Sequence, residues 1–243
     1  NCVRKHLCDV SGGRLARAAR GRRVVVLAIS DVAGDRLDVI GSGPCSPDPS
    51  RYADALDVLR ARRLLVSVPA AVRAHLEAGV RGERPESAKP GEPIFGNVRA
   101  HVIASNADAL AAALAAAGPR GLRPVALGAL LHGEARGAGR RLAALGRALR
   151  PDAPLLVAAG GETTVTLRGE GRGGRNQELA LSAALALHGS EGITLLAAGT
   201  DGTDGPTGAA GACVDGGTVA RGLARGVDAA GALARNDSHG FFA

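Results

Sequence analysis

Residues 101–159 read HVIASNADALAAALAAAGPRGLRPVALGALLHGEARGAGRRLAALGRALRPDAPLLVAA, and this stretch decides the fold. Three short apolar runs, His101–Ala104, Pro124–Leu130 and Leu155–Ala159, alternate with two longer segments, Ala107–Ala117 and Gly133–Leu149, rich in helix formers. Strands separated by helices of that length imply right-handed βαβ crossovers. The small side chains of Ala109–Ala117 predict a helix that packs closely rather than a low-complexity tract. Working towards the N-terminus, Val24–Ile29 is an unbroken apolar run that suits a strand covered on both faces, as in a parallel sheet. Turn-rich sequence follows, through Gly41-Ser42-Gly43-Pro44 and Pro47-Asp48-Pro49, before helical spacing returns at Tyr52–Arg62 and Pro69–Ala78. Between Gly82 and Pro93 the composition shifts to charge, Pro and Gly, the pattern of a linker. The expected division is therefore residues 1–92 and 93–243, two α/β layered domains with largely parallel or mixed sheets.

The 243 residues carry a net charge of +7, with 46% apolar side chains and 2% aromatic. Nearly all the positive charge is Arg, dispersed among Ala and Gly, and base-stacking aromatics are scarce, so no nucleic-acid partner is expected. No apolar run is long enough to span a bilayer and no signal-peptide pattern opens the chain, which predicts a soluble, cytoplasmic protein without a membrane partner. The chain begins at Asn1 and contains no Met, which favours an excerpt of a longer protein. Cys2, Cys8, Cys45 and Cys213 form no C-x-x-C pair, and the six His fall in no metal-ligand spacing. Reduced thiols are expected.

Chemistry concentrates at two glycine-rich segments. From Leu155 an apolar strand runs into Gly160-Gly161-Glu162-Thr163 and a second expected strand, Thr164–Arg168. Gly169-Glu170-Gly171-Arg172-Gly173-Gly174-Arg175-Asn176-Gln177-Glu178 then opens an apolar helix reaching Leu187. Glycine lets backbone N–H groups approach a ligand and a helix start carries partial positive charge, so phosphate or carboxylate fits this junction. Arg175 adds a permanently charged fork, and Asn176 is the expected N-cap. A glycine-rich turn before a capped core helix explains the same residues without a ligand. Gly169-x-Gly171-x-x-Gly174 also matches the dinucleotide fingerprint literally, but the preceding strand alternates as a half-exposed strand does. The second segment, Gly199-Thr200-Asp201-Gly202-Thr203-Asp204-Gly205-Pro206-Thr207, follows an apolar strand at Thr194–Ala198, where open α/β sheets bind ligands. Asp201 or Asp204 suits Mg²⁺, or else both form Asx turns. A weaker candidate, Ser30-Asp31-Val32-Ala33-Gly34-Asp35, ends the Val24–Ile29 strand.

Gly160–Val165, Gly173–Leu181 and Gly199–Thr207 with Ala209-Ala210-Gly211, in that order, closely resemble the C-terminal MOFRL region of glycerate 2-kinases, over about residues 154–243. Asn1–Leu7 with Ser11–Leu15, Ser30–Asp35, Asp38–Pro44 and Asn236-Asp237-Ser238 extend the likeness over essentially the whole chain. The resemblance implies a fragment, its first domain incomplete. A functional Lys and a Ser-Gly-Gly-Gly-Ser loop belong upstream, and a Gly-Pro-Thr-Gly-Thr-Asn-type motif belongs beyond Ala243. Thr207-Gly208 departs from the family's usual Thr-Asp.

The resemblance further implies a kinase that phosphorylates the 2-hydroxyl of D-glycerate from ATP with Mg²⁺, with the fragment inactive alone. Two alternatives stand beside it: an NAD(P)-dependent hydroxypyruvate reductase, a label family members have carried, and a non-catalytic remnant of the kinase fold. The expected catalytic residues are Arg175, Asp201 and Asp204. Gly160, Gly161, Glu162, Thr163, Gly173, Gly174, Asn176, Glu178, Thr200 and Ser30 are expected to bind substrate or nucleotide, and Asp31 and Asp201 to hold magnesium. Glycerate and ATP are the expected partners; the oligomeric state is left open.

Overall fold

The structure is a computed structural model that describes residues 1–128, 130–149 and 151–243. It is mixed α/β, as expected, in two compact units, Asn1–Ser105 and Asn106–Ala243.

The first unit runs α1 (Cys2–Leu7), α2 (Arg14–Ala18), β1 (Val24–Ile29), α3 (Tyr52–Ala61), α4 (Ala70–Val80) and β2 (Val98–Ala104). Tyr52, Ala55, Leu56 and Leu59 fall on one side of α3 at helical spacing and bury against Leu76 of α4 and Cys2 and Val3 of α1. β1 and β2 pair in parallel from Val24↔Val98 to Ile29↔Ala104, with an irregularity between Ala28 and Ile29. The expectation that β1 is covered on both faces is corrected. Val25, Leu27 and Ile29 are 55%, 64% and 69% exposed, because alternate residues of a strand share a face and this one has no cover among the described residues.

A buried polar seam, rather than a large apolar core, ties the loops of this unit together. Lys5 Nζ lies 3.1 Å from Asp48 Oδ1 and 3.7 Å from Asp38 Oδ2. Burial pushes the Asp48 carboxyl up, but hydrogen bonds from Ser50, Ser87 and Lys5 together hold it below the usual range. The stretch 82–93, which composition marks as a linker, is stitched into the same seam. The Arg17 guanidinium donates to Glu92 and to the carbonyls of Glu86 and Ser87, while Ala88 N donates to Gly12 O and Asp48 N to Ala88 O. Glu86, Lys89 and Glu92 are partners within the unit, whereas Glu83 and Arg84 stay exposed, and β2 beyond the stretch pairs back onto β1. The contact boundary therefore falls after Ser105, not at Pro93.

The second unit runs α5 (Asn106–Ala117), β3 (Arg123–Ala126), α6 (Ala135–Ala148), β4 (Leu155–Ala158), α7 (Arg175–Leu187), β5 (Thr194–Ala198), β6 (Gly211–Asp215), α8 (Thr218–Ala224), α9 (Ala229–Ala234) and α10 (Ser238–Phe242). β3 and β4 are parallel, whereas β5 and β6 are antiparallel. The expected strand Pro124–Leu130 ends at Ala126, and its Ala129 lies outside the described residues. Thr164–Arg168 forms no strand. Thr164 bridges to Glu134 alone, and the Glu134 carboxylate accepts from the Thr166 hydroxyl and amide in place of a ladder.

α7 is the centre of this unit, with Gln177 through Ala184 and Leu187 all buried. It packs on α6 through small residues. A Cβ added to Gly139 would lie 2.2 Å from the Leu179 carbonyl oxygen, so the two backbones meet where a side chain would stand. Among the described residues no helix is long and apolar enough to cross a membrane.

Candidate functional site

Arg175 is the first residue of α7, half exposed, and its Nη1 donates to Glu162 Oε1 at 2.5 Å. Glu162 sits in the turn that follows β4. There Leu131 N donates to Gly160 O, Glu162 N donates to Leu131 O, and Gly161 forms a single bridge with Leu131. Thr163 is buried beside it. Gly160 stands against the Asn106 side chain at the start of α5: a Cβ there would lie 2.0 Å from Asn106 Oδ1. Nothing in the sequence near Gly160 marks Asn106, because that contact joins elements far apart along the chain.

The start of α7 already holds an anion, and that anion is Asp204. Its buried carboxylate accepts from Asn176 N at 2.9 Å and Asn176 Nδ2 at 3.1 Å on Oδ1, and from Gln177 N at 2.7 Å on Oδ2. A carboxylate at a helix start satisfies amides that have no partner within the helix and sits well in the local dipole. Asn176 is therefore not the N-cap; it stands one residue inside the helix and donates to the cap supplied by the loop. Thr207 secures that loop, its hydroxyl donating to Asp204 O at 2.8 Å and accepting from Gln177 Nε2 at 3.2 Å.

Asp201 stays at the surface. It forms an Asx turn, accepting from Thr203 N at 3.2 Å and Thr203 Oγ1 at 3.3 Å, with exposed Thr200 beside it. A Cβ added to Gly199 would lie 2.9 Å from Asp201 Oδ1 and 3.4 Å from Asn176 Nδ2, so the Asp201 carboxylate and the Asn176 amide lie close around Gly199.

Glu178 points inward. It is 2% exposed, receives Arg136 Nε and Nη2 at 3.0 and 2.8 Å on Oε1, and receives Asn236 Nδ2 at 2.9 Å on Oε2. Ser30 and Asp31 belong to the first unit. Ser30 is buried, with its amide on Ala104 O at 2.8 Å, while Asp31 is exposed.

Two ligand expectations can be tested on this geometry. A pyrophosphate held by the fingerprint glycines needs open space beside them. Instead, added Cβ atoms at Gly169, Gly171 and Gly174 would meet Arg235, Asp237 and Asp204 at 2.4–2.5 Å, so protein fills that space. For magnesium, no group of three or more His, Cys, Asp or Glu is placed to hold a metal ion among the described residues. Both Asp204 oxygens serve α7, while Asp31 and Asp201 are exposed loop carboxylates of the first and second units.

Loops that follow β4 and β5 flank the start of α7, where Arg175 is half exposed. Residues 155–243 match the MOFRL family, and residues 1–77 match a domain of unknown function, DUF4147. A D-glycerate 2-kinase from Thermotoga maritima is 45% identical over 244 residues, covering 98% of this chain and 55% of the relative. A relative from Agrobacterium vitis with a provisional hydroxypyruvate reductase name is 43% identical, covering 100% of this chain and 55% of its own. The crystal structure of a glycerate kinase from Thermotoga maritima superposes with a TM-score of 0.75 at 42% identity, covering 99% of this chain and 56% of that one. The chain belongs to the glycerate kinase family. It spans about half the length of these relatives.

Proposed function

We propose that the protein containing this chain transfers the γ-phosphoryl group of ATP to the 2-hydroxyl of D-glycerate, giving 2-phosphoglycerate, and that Arg175 is the residue through which this chain acts. The observation that carries the reading is the half-exposed Arg175 guanidinium, joined to the equally exposed Glu162 at a helix start. A planar guanidinium matches carboxylate and phosphoryl oxygens, so the glycerate carboxylate or the transferring group competes with Glu162 for its donors. Gly160, Gly161, Thr163 and Thr200 belong to the two turns that flank this arginine, and Asp201 and Asn176 offer a carboxylate and an amide to orient a hydroxyl. Asp204, Gly173 and Gly174 serve by fixing the helix start, which supplies orientation rather than contact. Four free cysteines suit a reducing, cytoplasmic setting.

In the full-length protein, Arg175→Ala is expected to lower kcat/KM for glycerate by about 100-fold or more, as removal of a charge-stabilising donor does, with an unchanged circular dichroism spectrum. Near-normal turnover would remove Arg175 from the site. Release of ADP with glycerate, against loss of NADH absorbance with hydroxypyruvate, separates the kinase from the reductase suggested by the Agrobacterium vitis relative's name.

A further inference from the structure

Asn236 lies in the turn between α9 and α10 with φ +57°, the left-handed region that non-glycine residues seldom occupy, and it is 4% exposed. Every hydrogen-bonding position of its amide is used. Oδ1 accepts from Arg168 N at 2.6 Å and Gly169 N at 3.1 Å, and Nδ2 donates to Glu178 Oε2 at 2.9 Å and Thr166 O at 3.3 Å. Glu178 is held from its other oxygen by Arg136 of α6. One side chain thus joins the segment 166–169 to the first turn of α7.

The residues around Asn236 extend the same grip along the glycine-rich loop. Gly171 N donates to Arg235 O at 3.0 Å, Arg172 N to Asp237 Oδ1 at 3.0 Å, and His239 N to Arg172 O at 2.9 Å. Cβ atoms added to Gly169, Gly171 and Gly173 would all collide with residues 235–238, at 2.1–2.5 Å. The loop therefore rests on this turn along one side and delivers Arg175 from a fixed direction.

We infer that Asn236 is a positioning residue for the phosphoryl transfer proposed above, its amide locking the glycine-rich loop to Glu178 and thereby setting the placement of Arg175. The chemistry of the site demands an amide. A carboxylate at this position keeps the acceptor for Arg168 and Gly169 but sets a second negative charge against Glu178 and loses the donor to Thr166 O. Glycine keeps the left-handed backbone and loses the lock.

This inference rests on the kinase reading, and the test separates the two. In the full-length protein, Asn236→Gly is expected to lower kcat at least 10-fold while KM for glycerate and ATP moves less than about 3-fold, because misplacement of a reacting group costs rate before affinity. Asn236→Asp is expected to lose rate similarly, because it keeps the acceptor for Arg168 and Gly169 but loses the donors to Glu178 and Thr166 O. Variants with wild-type kcat, or whose loss is confined to thermal stability, overturn the inference. Amide exchange on the wild-type chain gives an arm without mutation. Arg168 and Gly169 amides are expected to be as protected as the first turn of α7, and exchange at the rate of an open loop would also overturn it. Failure of the wild-type protein to phosphorylate glycerate would instead sink the kinase reading, leaving the lock to be judged by exchange.

Discussion

The two units hold themselves together by different balances of the same forces. In the first, charged residues are the interior partners: Lys5 and Asp48 are 5% and 0% exposed, and Arg17, Glu86 and Lys89 bind the loops around them. In the second, α6 and α7 meet chiefly through Ala, Leu and Gly, with one buried ion pair, Arg136–Glu178, and the Ser182 hydroxyl on Arg136 O between them. Directional hydrogen bonds can order a chain with little core, but they leave it exposed to loss of one partner. Close backbone packing tolerates charge changes and resists added volume.

Four measurements test that contrast, beginning with the largest expected effect. Lys5→Ala strips Asp48 of its buried cation and is expected to destabilise the first unit by about 3–5 kcal/mol, seen as an early separate step in denaturant unfolding. A single unshifted transition would break the comparison. Gly139→Ala places a methyl group against the Leu179 carbonyl and is expected to cost the second unit about 1–3 kcal/mol, with the first unit's transition unmoved. Asp204→Ala removes the cap of α7 and should cost about 0.5–2 kcal/mol, read from the same denaturation curves.

The smallest effect concerns acid. Asp48 and Glu86 are both held below their ordinary ranges: burial raises each, and donors including Lys5 and Ser50 for the first and Lys89 for the second outweigh it. A depressed carboxyl contributes stability that is present above its unfolded-state value and lost as pH falls through the folded one. The denaturation midpoint of the first unit should therefore drop as pH is lowered from about 5, near the upper edge of the carboxylate range, while the second unit follows less steeply. Its own depressed carboxyls, Glu134 and Asp215, sit at the surface, held by the Thr166 hydroxyl and by Arg221 respectively. Equal acid slopes in the two units would contradict the contrast.

What could be read from sequence follows the range of the forces involved. β1, β4, β5 and the five longest helices announce themselves through local period and breakers. β6 and the last three helices do not, since α8 to α10 are five to seven residues long and depend on packing against α7 and each other. The linker-like composition of 82–93 misleads for the same reason: whether a charge faces water or a partner is decided by residues elsewhere. At the site, Arg175 and the two Asp residues of 199–207 stand out by type. That Asp204 caps a helix starting 29 positions earlier is invisible locally, unlike Asp228, which caps its own helix through Ala230 and Gly231. Asn236 was legible only as part of a motif, its partners lying 58 to 70 positions away.

The glycines at 169, 171 and 173 have a further consequence. Their spacing of two, each closed on one side by residues 235–238, is the alternation of a strand written in negative, with the inward side chains erased so that another backbone can take their place. Tolerance to substitution should alternate accordingly. Exposed Glu170 should accept other side chains freely and Arg172 should do so at the loss of one bond to Pro206 O, whereas any side chain at 169, 171 or 173 should displace the turn at 235–238.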